Sequence, residues 1–146
     1  MGRLEIIKGR LAESIIAEMF SEMDYKVVRF GYENIMPELA NKNNLIKGRV
    51  SDEIRSMPDF VVVDRKNNYA YYLEVKYREN NEFKIDPDYL FDDAFIVLVG
   101  PDKIKMQMAK KLKAGEPFIF LHKCPYFKSI SKEIVLDYVK LLKEFF

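Results

Sequence analysis

Residues 60–63 (FVVV) and 69–75 (YAYYLEV) are two runs of β-branched, aromatic and other apolar residues, separated by a short polar stretch containing Lys66-Asn67-Asn68. No other stretch limits the fold as much. Strand formers on either side of asparagines that tolerate positive φ predict a β-hairpin. Each strand carries ionisable groups at its outer end: Asp59 on the first, Glu74 and Lys76 on the second. A two-residue turn at Asn67-Asn68 sets Lys66 opposite Tyr69, Asp59 opposite Lys76 and Val61 opposite Glu74. Facing residues of an antiparallel pair project to the same side, and alternate residues share a face. Asp59, Glu74 and Lys76 are therefore expected on one side of the sheet. A slip of one residue would separate Asp59 from the other two.

The rest of the chain supplies layers for that hairpin. Leu4, Ile7, Leu11, Ile15 and Met19, with Ala12, Ile16, Phe20 and Met23, recur at helical spacing and predict a helix over residues 4–23. Residues 25–30 (YKVVRF) read as a strand. Residues 33–57 are polar, contain Pro37 and Gly48, and read as a long loop. The acidic stretch 83–93, with Pro87 inside it, reads as a short helix or turn. Residues 94–99 (AFIVLV) form an apolar run expected of a strand buried on both faces. A basic helix is expected over 102–113, a strand over 117–122 and an amphipathic helix over 129–146. The order α, β, β, β, short α, β, α, β, α predicts an α/β fold with a mixed central sheet flanked by helices, in a single domain over 1–146.

Composition narrows the setting. The chain has 146 residues, 49% hydrophobic and 32% charged, as in an ordinary globular protein with a real core. No apolar run is long enough to span a membrane, and the opening MGRLEIIKGR lacks the apolar segment of a signal peptide. One cysteine, Cys124, permits no internal disulfide, and a cytoplasmic location is expected. The net charge of +1 is lower than a dedicated tight DNA binder usually carries.

Two carboxylates side by side repel unless one takes up a proton or a cation sits between them. Hard oxygen donors suit Mg²⁺ or Mn²⁺, with water and a substrate phosphate completing the shell. The backbone carbonyl of Val75 is a further candidate ligand. Lys76 is placed to orient an attacking water or to stabilise charge on a phosphate. Glu13 is a fourth candidate. It lies off the polar side of the first helix, with Ile16 and Ala17 following it by a turn, and a carboxylate there needs a partner.

Pro58-Asp59, then fourteen residues, then Glu74-Val75-Lys76 resembles the motif of the PD-(D/E)xK nuclease superfamily. The segment from Lys8 to Glu13 (KGRLAE) ahead of YKVVRF is similar to the opening of archaeal Holliday-junction resolvases. The resemblance covers roughly residues 8–32 and 57–77. It implies a restriction-endonuclease-like αβββαβ core and a metal-dependent endonuclease acting on DNA, at branched or junction substrates. It assigns metal binding to Asp59, Glu74, Val75 and Glu13, a role at the water and phosphate to Lys76, and a homodimeric assembly. Two features depart from the resolvases: the length of the 33–57 segment, and the acidic residues Glu79, Glu82, Asp86, Asp88, Asp92 and Asp93 after the motif. Arg55, Tyr77, Arg78, Lys103 and Lys105 are the candidate nucleic-acid contacts.

Plainer readings stand beside these. Asp, Glu and Lys meet this spacing often by chance, Glu13 can be a helix-edge carboxylate paired with a base, and the lysines of 102–113 can be a solvated face. His122 and Cys124 lack a second close pair of soft ligands, so a structural role fits them better than a metal site. The alternatives to a DNA endonuclease are an RNA-directed nuclease and a non-catalytic module that docks to nucleic acid or protein.

Overall fold

A computed structural model describes residues 2–29 and 57–146. Apart from Met57, the loop expected over 33–57 lies outside the described residues. The chain runs α1 (Arg3–Glu22), β1 (Tyr25–Arg29), β2 (Phe60–Asp64), β3 (Ala70–Tyr77), β4 (Phe95–Val99), β5 (Ile104–Met108), α2 (Ala109–Lys113), β6 (Ile119–Phe120), a 3₁₀ turn (Leu121–Lys123) and α3 (Lys132–Phe145). The six strands form one mixed sheet in sequence order. Every neighbouring pair is antiparallel except β3 and β4, which run parallel. The α/β class is as expected.

The helical repeat of α1 is used mostly in its second half. Ala12, Ile15, Ile16, Met19 and Phe20 are buried, while Leu4 and Ile7 are each 60% exposed. The chain leaves α1 through Asp24 at φ 67, a left-handed conformation that a short polar side chain tolerates, and enters β1 at the buried Tyr25. Helix α3 begins where sequence chemistry permits it: the Ser131 hydroxyl accepts the Ile134 N–H at 3.2 Å. Both helices pack on one face of the sheet, over Phe60, Val62, Leu73, Val75, Tyr77, Val97 and Met106. Phe127 ties this core together, meeting Phe20, Tyr71 and Phe95 with ring centroids 5.6, 4.7 and 4.8 Å away.

The continuous apolar run of β4 is buried at all five positions, as a strand covered on both faces must be. Val97 and Val99 join the helical core, and Ile96 and Leu98 face the other side. That second side is built differently from expectation. Residues 83–93 contain no helix. Asn80 and Asp86 side chains accept the N–H groups of Glu82 and Asp88, closing local turns that compete with a helix, and Pro87 lies among them. The helix expected over 102–113 is instead a strand followed by one short helix. Ile104, Met106 and Gln107 are buried in β5, and the ladder to β4 takes their backbone groups. The strand expected over 117–122 shrinks to Ile119–Phe120, because Leu121–Lys123 turn as 3₁₀.

Candidate active site

The hairpin register differs by two residues from the one a tight Asn67-Asn68 turn predicts. Phe60 pairs with Leu73 and Val62 with Tyr71. The hairpin closes around residues 65–68: the Asp64 N–H donates to the Tyr69 carbonyl and the Asn68 N–H to the Asp64 carbonyl, both at 2.8 Å. Side chains decide the longer loop. Asp64 accepts the Lys66 N–H at 2.9 Å and Asn67 accepts the Tyr69 N–H at 3.0 Å, with Asn68 at φ 59. This corrects the expected opposition of Asp59 to Lys76. One residue beyond the Phe60–Leu73 pair, Asp59 stands opposite Glu74. A shift of two keeps every side chain on its face, so the grouping of Asp59, Glu74 and Lys76 survives the change.

Asp59 and Glu74 lie within hydrogen-bonding reach of each other. The second oxygen of Asp59 (Oδ2) accepts the Val75 N–H at 2.8 Å, which locks its carboxyl onto β3. Lys76 Nζ lies 3.7 Å from Glu74 Oε2 and 5.7 Å from the centre of the Phe83 ring. Burial pushes the Glu74 carboxyl well above the ordinary carboxylate range. The charge of Asp59 and their shared hydrogen bond push it further, Lys76 pulls it back, and Glu13 adds to the rise. Glu13 is half-buried and close enough to act on Glu74 electrostatically. Its neighbour Ser14 ties α1 to β1: the Arg29 guanidinium donates to Ser14 Oγ at 3.5 Å, and Arg29 pairs with Phe60, the residue after Asp59. Lys8, one turn before Ala12, pairs with Glu79 just beyond β3, so the same helix is tied to both ends of the motif.

The donors suit a small hard cation. Among the described residues no group of three or more His, Cys, Asp and Glu is assembled to hold a metal. Two carboxylates with outside water and phosphate are enough for Mg²⁺, which keeps several waters, and would be too few for an all-protein cage. A strand residue's N–H and C=O point to the same edge. The Val75 carbonyl therefore shares the Asp59 side of β3, past the last β2 pair. The charge of Asp59 raises the Glu74 carboxyl, and a cation between the two would relieve that conflict.

The expected nucleic-acid contacts are dispersed. Tyr77 is 9% exposed, sits on the helical face and stacks on Phe146 at 4.4 Å, so it does not reach the site surface. The Arg78 guanidinium donates to the Tyr77 carbonyl and covers Phe83 at 5.3 Å. Lys105 pairs with Leu98, which pairs with Lys76, so Lys105 shares the site face two strands away, with Nζ over Phe120. Lys103 is half-buried at the β4–β5 turn, where its carbonyl accepts the Gly100 N–H. Arg55 lies outside the described residues. The lysines of α2 and the acids of 92–93 pair with one another: Lys113 with Asp92 at 2.6 Å and Lys110 with Asp93 at 3.3 Å. His122 rests beside the Phe120 ring, and Cys124 Sγ accepts the Tyr126 N–H.

One residue near the carboxylates carried no sequence signal. Tyr89 follows an Asx turn in the acidic stretch, yet its hydroxyl is buried within reach of the charges of Glu74 and Asp59. A groove of about 520 Å³ nearby, lined by Phe83, Ile85, Pro87, Leu112 and Phe118, contains none of the four motif residues. No helix of the described residues is long and apolar enough to cross a membrane. Comparison of the chain with protein-family models, curated proteins and solved structures gives no match.

Proposed function

We propose that this protein is a divalent-metal-dependent endonuclease of the PD-(D/E)xK type, with a restriction-endonuclease-like core, that hydrolyses phosphodiester bonds in DNA. The observation that carries the reading is the contact of Asp59 with Glu74, with Lys76 Nζ 3.7 Å from the second carboxyl. Two carboxyls held side by side in a half-buried position cost stability. A cation-binding role gives that cost a purpose; a purely structural hairpin would do as well with apolar residues there.

Asp59, Glu74 and the Val75 carbonyl would hold Mg²⁺ or Mn²⁺. A cation so held would polarise the scissile phosphoryl group and lower the pKa of attacking water. Lys76 orients that water and neutralises charge that grows on the phosphate. Glu13 supports the same water from α1. The water oxygen bonds to phosphorus, the P–O3′ bond breaks, and the water's proton passes to the leaving 3′ oxygen. The products are a 5′-phosphate and a 3′-hydroxyl, as the superfamily resemblance implies. The resolvase resemblance supports a homodimer, in which two copies of the site would make symmetric cuts.

The test is a Mg²⁺ and Mn²⁺ titration of cleavage on labelled single strand, duplex, flap, four-way junction and RNA. Asp59→Ala and Lys76→Ala are expected to keep the fold, by circular dichroism, and to lose at least about 100-fold in rate, the scale of removing one preorganised transition-state contact. Wild-type rates in both variants would refute the assignment. Faster cutting of RNA would redirect it to an RNA nuclease. The near-neutral net charge favours a second reading, a non-catalytic binding module. Binding of a substrate without cutting, unchanged in Asp59→Ala, would select it.

A further inference from the structure

Phe120 differs from the other exposed apolar residues in what sits on it. The residue is 36% exposed. Lys105 Nζ and Lys123 Nζ lie 5.3 and 5.8 Å from the centre of its ring, and the His122 ring is tilted beside it at 5.5 Å. The lysines of the neighbouring α2 are spoken for: Lys110 and Lys113 by Asp93 and Asp92, and Lys111 by the Tyr126 hydroxyl. Lys105 and Lys123 have no carboxylate in an ion pair with them among the described residues.

The patch shares a face with the carboxylates. Lys76, Leu98, Lys105 and Phe120 pair in turn, so they form one row across four strands. Ile119 packs against the helical core, which fixes Phe120 on the opposite, site side. Three strand spacings, about 14 Å, separate Phe120 from Lys76 along that row. The segment from Phe83 to Phe91 crosses the same face as a strap, with Phe83 on Lys76 at 5.7 Å and Phe91 on Tyr72 at 5.8 Å. Phe83 also lines the groove of about 520 Å³, whose lining extends to Phe118, two residues before Phe120. Lys84 and Lys113 line it too, against one acid, Glu116.

We propose that Phe120, with Lys105 and Lys123, is a binding platform for an unpaired nucleic-acid strand that passes along the groove to Asp59, Glu74 and Lys76. The inference deepens the endonuclease reading by naming a single-stranded segment as the form of the substrate, and it rests on that reading for the path to Lys76. A base of any identity stacks on an exposed ring, because every base has a π face. An ammonium held only by a ring at an exposed site is held weakly, so both lysines are released to the flanking phosphates as the base arrives. A duplex keeps its bases stacked inside and offers only phosphates, so it gains nothing from the ring. An acidic peptide satisfies the lysines but brings no flat π surface.

The test reads binding and cutting separately. Fluorescence anisotropy follows a labelled oligodeoxythymidylate and a labelled duplex on the full chain without divalent metal, with folding of each variant checked by circular dichroism. Wild type is expected to bind the single strand more tightly than the duplex. Phe120→Ala should weaken single-strand binding about 10-fold and leave duplex binding unchanged. Phe120→Leu should show the same loss with less change in packing, and Phe120→Tyr, which keeps the ring, should bind like wild type. Lys105→Gln combined with Lys123→Gln should lower the slope of log affinity against log salt by about 1.4, the value for two phosphate contacts on a single strand. With Mg²⁺, Phe120→Ala should raise KM for the single strand about 10-fold and leave kcat unchanged, because the ring lies away from the reacting atoms. Wild-type affinity in Phe120→Ala, or an equal loss in Phe120→Tyr, would overturn the platform; metal-dependent cutting lost in Asp59→Ala would then leave the endonuclease standing. Weaker binding with an unchanged KM would overturn the path to Lys76. Binding that falls in Phe120→Ala, from a wild type that cuts nothing, would support the platform and overturn the endonuclease. Binding of oligoglutamate without binding of the single strand would overturn the platform in favour of an acidic peptide.

Discussion

Asp64 and Glu74 show two opposite fates for a carboxyl in the same hairpin. Asp64 is fully buried, and burial alone would raise its pKa. Hydrogen bonds from the Ser129 hydroxyl at 2.6 Å and from the Lys66 and Asn67 N–H groups outweigh that and hold it below the ordinary range. Glu74 is pushed upward by burial and then by the like charge of Asp59, with no such set of donors to offset them. The first is held by donors as a structural acid; the second is the one the proposed reading assigns to the metal, although their sequence surroundings look alike. Asp64→Ala strips three donors of their acceptor and is expected to destabilise the fold by about 1–3 kcal/mol in urea unfolding, with cleavage per folded molecule unchanged. Because its carboxyl is held low in the folded state, Asp64 contributes fully above the unfolded-chain value near 3.8. That contribution fades as pH falls through the lower folded value. The stability difference between wild type and Asp64→Ala should therefore be constant at neutral pH and shrink in strong acid.

Among the elements, the strap from Phe83 to Phe91 packs on the sheet face that carries Glu74 and Lys76. It is joined to the sheet by aromatic contacts and to α2 by Lys110 and Lys113. Surface ion pairs contribute little to global stability, at most about 1 kcal/mol each. Lys113→Ala is therefore expected to leave the melting temperature nearly unchanged while backbone amides of residues 86–92 exchange faster with solvent. Unchanged exchange there would mean that the aromatic contacts alone hold the strap. Sequence reading counted the acids of this stretch as a departure from the resolvases, took Lys103 and Lys105 as nucleic-acid contacts, and weighed the lysines of 102–113 as a solvated face. The fold pairs them with each other. That outcome depends on the parallel return of β4 beside β3, which brings residues 92–93 next to 110–113 and which no local pattern encodes.

For the whole molecule, the sheet sets the helical core apart from the three hairpin residues of the proposed site. One face carries both long helices and the aromatic cluster around Phe127; the other carries Glu74, Lys76 and the strap. Leu73 and Glu74 are adjacent in sequence and serve opposite faces. Leu73→Ala opens a cavity in the helical core and is expected to cost about 2–5 kcal/mol in denaturant unfolding. The substitutions of Asp59 and Lys76 described above should cost little stability, since they lie on the other side. A small loss for Leu73→Ala would mean that the helical face is not the main source of stability.

The sequence by itself determined the parts governed by short-range periodicity. Helical spacing in residues 4–23 gave α1, the unbroken apolar run at 94–99 gave the doubly buried β4, and alternation in the hairpin gave a common face to Asp59, Glu74 and Lys76. The alternation was robust because an even change of register cannot move a side chain to the other face. Only the tertiary structure decided the register itself, since Asp64 chooses a longer loop once Ser129, far along the chain, is there to share its charge. It turned residues 104–108 from an expected helix into β5, because β4 offered a ladder to satisfy their backbone groups. It also buried Tyr89 beside the acidic pair. A phenol among aspartates reads as a solvent-exposed residue until a strand return brings up Lys113 to hold its carbonyl and its hydroxyl is buried. Contacts between residues distant in sequence carry no period, so only the folded chain reveals them.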